Sequence, residues 1–238
     1  DTRVLGEVDL ATILMRSSNA GMSRIGLSLE SDALWEMMSD FGFGSYVTDG
    51  FPGESRGRLH HHTEWGEIGK ATMSYGYGIT VTPIQLAQAY SVIANNGLYT
   101  PLSLRKGLFN ESKRVINEDT AKALLSMLEK VVEDGTSKKA AVNGYRIGGK
   151  SGTAWKTSGS GGYSTDRYRS IFAGIAPIDD PRLVAVVFIE EPTGEFYYGG
   201  DVAAPVFSEI ISQSLQLLSI PPHGFIRKSD LTADNKKD

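Results

Sequence analysis

Residues 144–153 read GYRIGGKSGT, and two incompatible folds compete for them. Gly144 through Ser151 satisfies G-x-x-x-x-G-K-[ST], the phosphate-binding loop. That loop needs a buried strand before its first glycine and a helix opening straight after Lys-Ser, so that backbone N–H groups point at a phosphate. Lys150-Ser151-Gly152-Thr153 equally suits a β-strand edge beside a reactive serine. There Gly152 lets an extended substrate backbone approach, and the Ser151 and Thr153 hydroxyls bind a carboxylate in the positive field of Lys150. One lysine cannot serve both chemistries, and the flanking residues choose. Downstream, Ser158-Gly159-Ser160-Gly161-Gly162 opposes a helix, because each interior glycine costs about 1 kcal/mol. Upstream, residues 138–143 (KKAAVN) are no buried strand. Leu183–Ile189 ending in Glu190-Glu191 imitates a second nucleotide-binding motif, but no alternation of strands and helices supplies the parallel sheet that such a fold needs. The strand-edge reading is adopted, and a P-loop nucleotide-binding protein stays as the remote alternative.

Outward from this stretch, Tyr145–Lys156, Ser170–Ala176 and Leu183–Glu190 read as three strands, the last two joined by the hairpin turn Pro177-Ile178-Asp179-Asp180-Pro181. A helix over Val202–Leu218 follows, with Phe207, Ile210, Ile211 and Leu218 expected inside. Before the strands the period is helical. Val8–Met15 carries Leu10, Ile13 and Leu14 on one face and is interrupted by Ser17-Ser18-Asn19; a second stretch holds Met22, Ile25 and Leu29. Leu34, Met37, Met38 and Phe41 recur at helical spacing up to Gly42. Residues 43–72 read as irregular. Thr82-Pro83-Ile84-Gln85 opens the clearest helix with a cap, a proline at the first position and a capping box, and it stops at Gly97. Glu118–Glu133 puts Leu124, Leu125, Leu128 and Val131 on a core face. Helices followed by an antiparallel sheet and a closing helix make an α+β fold.

Composition excludes more than it selects. The chain of 238 residues is 40% hydrophobic and 22% charged with a net charge of −4, and it has no dense basic run, so no nucleic-acid partner is expected. No apolar stretch approaches the roughly 18 residues of a membrane span. With no cysteine there is neither a disulfide nor a thiolate metal site. His60-His61-His62 cannot all face one ion, so the triplet is read as an exposed loop and no metal or cofactor is expected. Tyr90 and Ile93 are read as core, and Glu190-Glu191 as the end of a strand before Pro192.

The lysine motif is short, and a partner is needed. Ser17-Ser18-Asn19 fits S-x-N at an interruption between helices. Together with K-[ST]-G it forms two of the three motifs of penicillin-recognising serine enzymes, the third being S-x-x-K. Around these motifs the sequence resembles the transpeptidase domain of class B penicillin-binding proteins. The residues that carry the resemblance are Ser17 to Met22, the loop Phe51-Pro52-Gly53-Glu54, the long stretch SYGYGITVTPIQLAQAYSVIANNG (Ser74–Gly97), GGKSGTA, YRSIFAGIAP and LVAVVFIEEP, all in family order. Ser-Ser-Asn and its spacing to Phe41-Gly42-Phe43-Gly44 look most like the division-specific branch, penicillin-binding protein 3.

The resemblance implies a penicillin-binding, serine β-lactamase-like α+β sandwich with an antiparallel sheet between helical layers. Residues 1–220 would be the C-terminal part of that domain and 221–238 a polar, disordered tail. It implies a peptidoglycan D,D-transpeptidase that forms a serine acyl-enzyme with stem peptides or β-lactams, uses no cofactor, works with the division machinery, and is anchored in the inner membrane facing the periplasm. A β-lactam-binding sensor or scaffold without turnover is the alternative. By the same resemblance Ser17 would relay protons between the S-x-x-K lysine and Lys150, and Asn19 would bond the donor peptide's backbone. Lys150 would tune the field at Ser17. Ser151 and Thr153 would hold the terminal carboxylate beside Gly152, and the Thr153 N–H would form half of an oxyanion hole. Tyr197 and Tyr198 match aromatics lining the ligand site, and Trp155 stands where relatives carry Arg, His or Gln. Only sixteen residues precede Ser17, so the S-x-x-K segment and the membrane anchor are expected to lie outside this chain. The single literal match, Ser103-Leu104-Arg105-Lys106, follows Pro101 in a segment read as extended rather than as a helix start, and is not taken as the nucleophile. The chain alone is therefore expected to form no adduct with a β-lactam.

Overall fold

The computed structural model describes residues 5–48, 50–107, 111–157 and 162–223. In chain order it contains helices α1 (Leu10–Arg16), α2 (Asn19–Ser28), α3 (Ser31–Asp40), α4 (Glu67–Met73) and α5 (Pro83–Ala94), short strands β1 (Leu98–Tyr99) and β2 (Lys113–Arg114), helix α6 (Glu118–Glu133), strands β3 (Gly148–Thr157), β4 (Tyr163–Ala176) and β5 (Leu183–Glu190), and helix α7 (Gly199–Leu217). Two single 3-10 turns, His62–Glu64 and Lys138–Ala140, accompany them.

The alternation of β4 explains the layers. Phe172 and Ala176 cluster with Val187 of β5 and with Ala203, Phe207, Ile211 and Leu215, which repeat along one face of α7. The Phe172 and Phe207 rings meet edge to face at 4.7 Å. Gly174 makes room for this contact, since a Cβ there would stand 2.6 Å from Phe207 Cζ. Ile175, one residue out of phase with Ala176, faces the other way. It packs with Val184 against Leu125 and Leu128 of α6 and Tyr90 and Ile93 of α5. The antiparallel sheet β3-β4-β5 thus lies between helical layers, as the fold class requires. Emptying its centre with Phe207→Ala is expected to cost about 3–5 kcal/mol.

Local chemistry sets the helix ends. In α5 the Thr82 hydroxyl accepts from Gln85 N–H at 3.2 Å, and Gln85 Oε1 accepts from Thr82 N–H at 2.9 Å. The buried Gln85 amide also donates to the Ser45 and Arg56 carbonyls, both at 2.8 Å, so the capping residue ties the loop after α3 to the core. Asn117 caps α6 through Thr120 N–H at 2.7 Å. Tyr90 and Ile93 are indeed packed into the core, and the Tyr90 hydroxyl is pushed far above its ordinary pKa by burial.

Several boundaries depart from the sequence reading. Residues 43–72 are not irregular throughout: α4 forms there, opened by Gly66 without a side-chain cap, which is why no start signal betrays it. The first strand begins at Gly148 rather than Tyr145, whose hydroxyl instead donates to Ile220 O at 2.7 Å. The second starts at Tyr163, seven residues before Ser170, and pairs with the far end of β3 across a register shift. Helix α7 opens at Gly199, and Ile210 (47% exposed) and Leu218 (55%) fall outside its buried face. Leu124 is half-buried on α6, where Ala121 and Val132 complete the inner face instead. The chain from residue 224, most of the stretch read as a tail, and residues 158–161 of the glycine-rich hairpin lie outside the described residues.

Candidate active site

The junction of α1 and α2 turns on Ser17, a non-glycine residue held in the left-handed region at φ 56°, ψ 47°. Such a conformation costs on the order of 1–2 kcal/mol, and it clusters at functional sites. Ser17 ends α1 as its C-cap, whereas Asn19 is the first residue of α2 and not its cap. The buried Ser18 caps α2 by accepting from Gly21 N–H at 3.0 Å, which leaves Ser17 and Asn19 exposed on either side of it. Gly21 lets α2 cross close to α1, because a Cβ there would press on Ile13 at 2.9 Å.

Opposite this turn runs β3, paired among the described strands only with β4, so one edge of Lys150–Trp155 stays open. Lys150 Nζ donates to Ser151 O at 2.8 Å. Burial pushes its ammonium down to about 8, because the charged form loses hydration with no carboxylate to compensate. Ser151 Oγ shares a hydrogen bond with Thr136 Oγ1 at 3.3 Å. The Thr153 hydroxyl accepts the first amide of α7, Gly199 N–H, at 3.0 Å. An accepting hydroxyl still has its proton to give, and here it stands at the positive end of a helix, which favours an anion. A Cβ on Gly152 would meet only Ile171 Cβ at 3.9 Å, so the packing of this chain makes no demand for glycine at that point. Gly199 differs: a Cβ there would strike the Ile171 and Gly152 carbonyls at 2.3 and 2.4 Å, so glycine is what lets α7 start against β3.

Ser17, Asn19, Lys150, Ser151, Gly152, Thr153, Trp155 and Tyr198 all line one cleft of about 850 Å³ between α1–α2 and the open edge of β3. Tyr197 does not. It stacks on Tyr168 at 4.0 Å and donates to the Tyr198 hydroxyl at 3.2 Å, and Tyr168 in turn packs on Trp155 at 4.7 Å, so the four rings form a continuous aromatic rim. Sequence reasoning missed Thr136, Tyr75, Tyr77 and Asp201, which also line the cleft. Tyr75 and Tyr77 lie in the SYGYG stretch, where aromatics between glycines are a signal of sorts. Thr136 and Asp201 look in the sequence like an ordinary helix end and helix start.

The competing motifs land elsewhere. Lys150-Ser151 lies inside strand β3 with no helix after it, which excludes the phosphate-loop geometry. Ser103 is outside the cleft lining, and its Oγ accepts from Arg105 N–H at 3.0 Å in a turn. His61 and His62 pack against the Trp35 ring, and His60 pairs with Glu64 at 3.1 Å. Among the described residues no group of three or more His, Cys, Asp or Glu is placed to hold a metal, and no described helix is long and apolar enough to cross a membrane.

Residues 1–212 match the family described as the penicillin binding protein transpeptidase domain. The probable peptidoglycan D,D-transpeptidase PbpC of Pseudomonas aeruginosa is 44% identical over 226 residues, which span 94% of this chain and 40% of that protein. The peptidoglycan D,D-transpeptidase FtsI of Escherichia coli is 39% identical over 224 residues, 93% of this chain and 38% of that protein. Among solved structures, the apo transpeptidase domain of Burkholderia pseudomallei penicillin-binding protein 3 superimposes with a TM-score of 0.87 at 40% identity, covering 94% of this chain and 68% of that one. The chain thus spans about 40% of the length of these two curated relatives.

Proposed function

Because the chain belongs to the penicillin binding protein transpeptidase domain family, we propose that the intact protein is a peptidoglycan D,D-transpeptidase that cross-links stem peptides and is acylated by β-lactams. The observation that carries this reading is the shared cleft: a strained serine turn on one wall and an open strand edge bearing Lys150, Ser151 and Thr153 on the other. An extended donor peptide adds as a strand along β3, and Gly152 leaves its backbone room. Its terminal carboxylate takes hydrogen bonds from Ser151 and Thr153, whose hydroxyls are oriented by Thr136 and by Gly199 N–H. Asn19 bonds the donor's backbone amide, and the Thr153 N–H stabilises the oxyanion. Lys150, with a pKa near 8, lies within reach of proton exchange at neutral pH, which suits a proton relay through Ser17.

In this reading the acylated serine belongs to an S-x-x-K segment outside these residues; the position of Ser103 outside the cleft lining supports it. Membrane anchorage, a periplasmic site of action and partners in the division machinery belong to the same proposal. Labelling with a fluorescent penicillin tests it. The full-length protein is expected to carry the label on a serine outside the 238 residues, which themselves stay unlabelled. Label on Ser103, or none on the full-length protein, overturns the reading. An acyl-enzyme that never passes its acyl group to an amine would make the protein a sensor instead.

A further inference from the structure

Among the described residues that line the cleft, the charged side chains are Arg16, Lys150 and Asp201, and Asp201 is the one carboxylate. We propose that Asp201 recruits the amine acceptor as its ammonium ion; this rests on the transpeptidase reading above. Asp201 stands in the first turn of α7, directly after Gly200. A Cβ on Gly200 would fall 2.2 Å from Thr136 O and 3.7 Å from Ser151 Oγ, so the start of α7 is pressed against the Thr136 backbone and lies beside the Ser151 hydroxyl, one of the two assigned to the donor carboxylate. Asp201 Oδ1 accepts from Lys139 Nζ at 2.7 Å, while Oδ2 takes no hydrogen bond from a described residue. The two side chains are 33% and 52% exposed, so water competes for both and an incoming cation can take over the carboxylate. In that same position Lys139 Nζ also lies 5.5 Å from the centre of the Phe196 ring, a contact that does not depend on the carboxylate.

The chemistry of acyl transfer makes this the useful side of the cleft. In acylation the departing group is an amine, and its residue carries the carboxylate held by Ser151 and Thr153. By microscopic reversibility the acceptor amine enters where the first one left. A free amine arrives protonated at neutral pH. It loses one proton to a base of the site or to water, and its lone pair then forms the new C–N bond. The ester C–O bond breaks, and the serine oxygen receives the second proton from nitrogen. Asp201 takes no part in these transfers. Its charge attracts the incoming ammonium and opposes the carboxylate of the residue that has just left.

The test uses the full-length protein and a thioester donor, with two acceptors: a cationic diamino-acid amide, and hydroxylamine, which is uncharged at neutral pH. The measured quantity is the acceptor concentration at which aminolysis and hydrolysis of the acyl-enzyme are equal. For Asp201→Asn it is expected to rise about fivefold with the cationic acceptor, relative to hydroxylamine. Lys139→Met, which frees the carboxylate, is expected to move it the opposite way, and both shifts shrink in high salt. Equal effects on the two acceptors, or shifts of the same sign in both variants, overturn the proposal. Failure of the unmodified protein to form an acyl-enzyme at all overturns the transpeptidase reading and this inference with it.

Discussion

The two ends of β3 each carry a lysine, and the fold treats them in opposite ways. At the inner end Lys150 follows Gly149, which is so tightly enclosed that a Cβ would stand 2.4 Å from Phe172 Cζ and 2.7 Å from the Ala173 carbonyl. The Lys150 ammonium is buried there without a carboxylate, and its pKa falls to about 8. At the outer end, where the strand shifts register between Trp155 and Thr157, Lys156 bonds Glu190 at 2.5 Å and also Glu191, and Arg169 and Arg167 add to the same two acids at 3.3 and 3.7 Å. The hydrogen bond to Glu190 holds the Lys156 ammonium above its ordinary range. One residue type on one strand is thus a stabilising clasp at one end and a standing cost at the other. Groups perturbed in this way cluster at functional sites, which makes Lys150 the first residue to test.

The sharpest way to break this contrast is kinetic. Lys150→Ala in the full-length protein is expected to slow acylation by labelled penicillin about 10²–10⁴-fold, the usual loss of a proton-transfer group, whereas Lys156→Ala leaves the rate within about fivefold. Packing at the inner end comes next. Gly149→Ala is expected to lose about 1–3 kcal/mol in urea unfolding, since the new methyl group meets ring and backbone that cannot both retreat. The same scale reads Lys150→Met with the opposite sign. Removing a buried ammonium should stabilise the fold at pH 7 by on the order of 2–3 kcal/mol. The sign with pH follows from proton counts: between about 8 and the ordinary lysine value the unfolded chain binds more protons than the native one, so stability rises with pH across that window. Lys150→Met should flatten that rise, and equal slopes in both proteins would remove the assigned burial. The smallest effect belongs to the outer end, where Lys156→Ala should lower thermal stability slightly and less so in added salt, with a change in Trp155 fluorescence marking the loosened rim.

Much of this could be read in advance because the signals were local. The capping box at Thr82 and Gln85, the apolar face of α6 and the apolar run of β5 each depend on neighbours close in sequence. Helix α4 could not be read, because an uncapped seven-residue helix has little propensity of its own and is held by contact with α2. The site divides in the same manner. Ser17, Asn19 and Lys150-Ser151-Gly152-Thr153 announce themselves as motifs. Thr136 and Asp201 do not, because they come to the cleft only where the end of α6 and the start of α7 meet β3. Even inside the motif, the S-x-N pattern gives Ser18 no part of its own; burial and the bond from Gly21 N–H make it the cap of α2.

What GYRIGGKSGT determined by itself was chemistry: a lysine, two hydroxyls and a glycine in an order that suits a strand edge and whose flanks oppose a phosphate loop. The tertiary structure decided what that chemistry is worth. It buried the Lys150 ammonium with no ion-pair partner among the described residues, turned the Thr153 hydroxyl toward the start of α7, and brought Asp201 into the cleft that Ser151 lines. Charge, hydration and hydrogen-bond direction depend on what surrounds a group in space, and sequence order does not specify those surroundings.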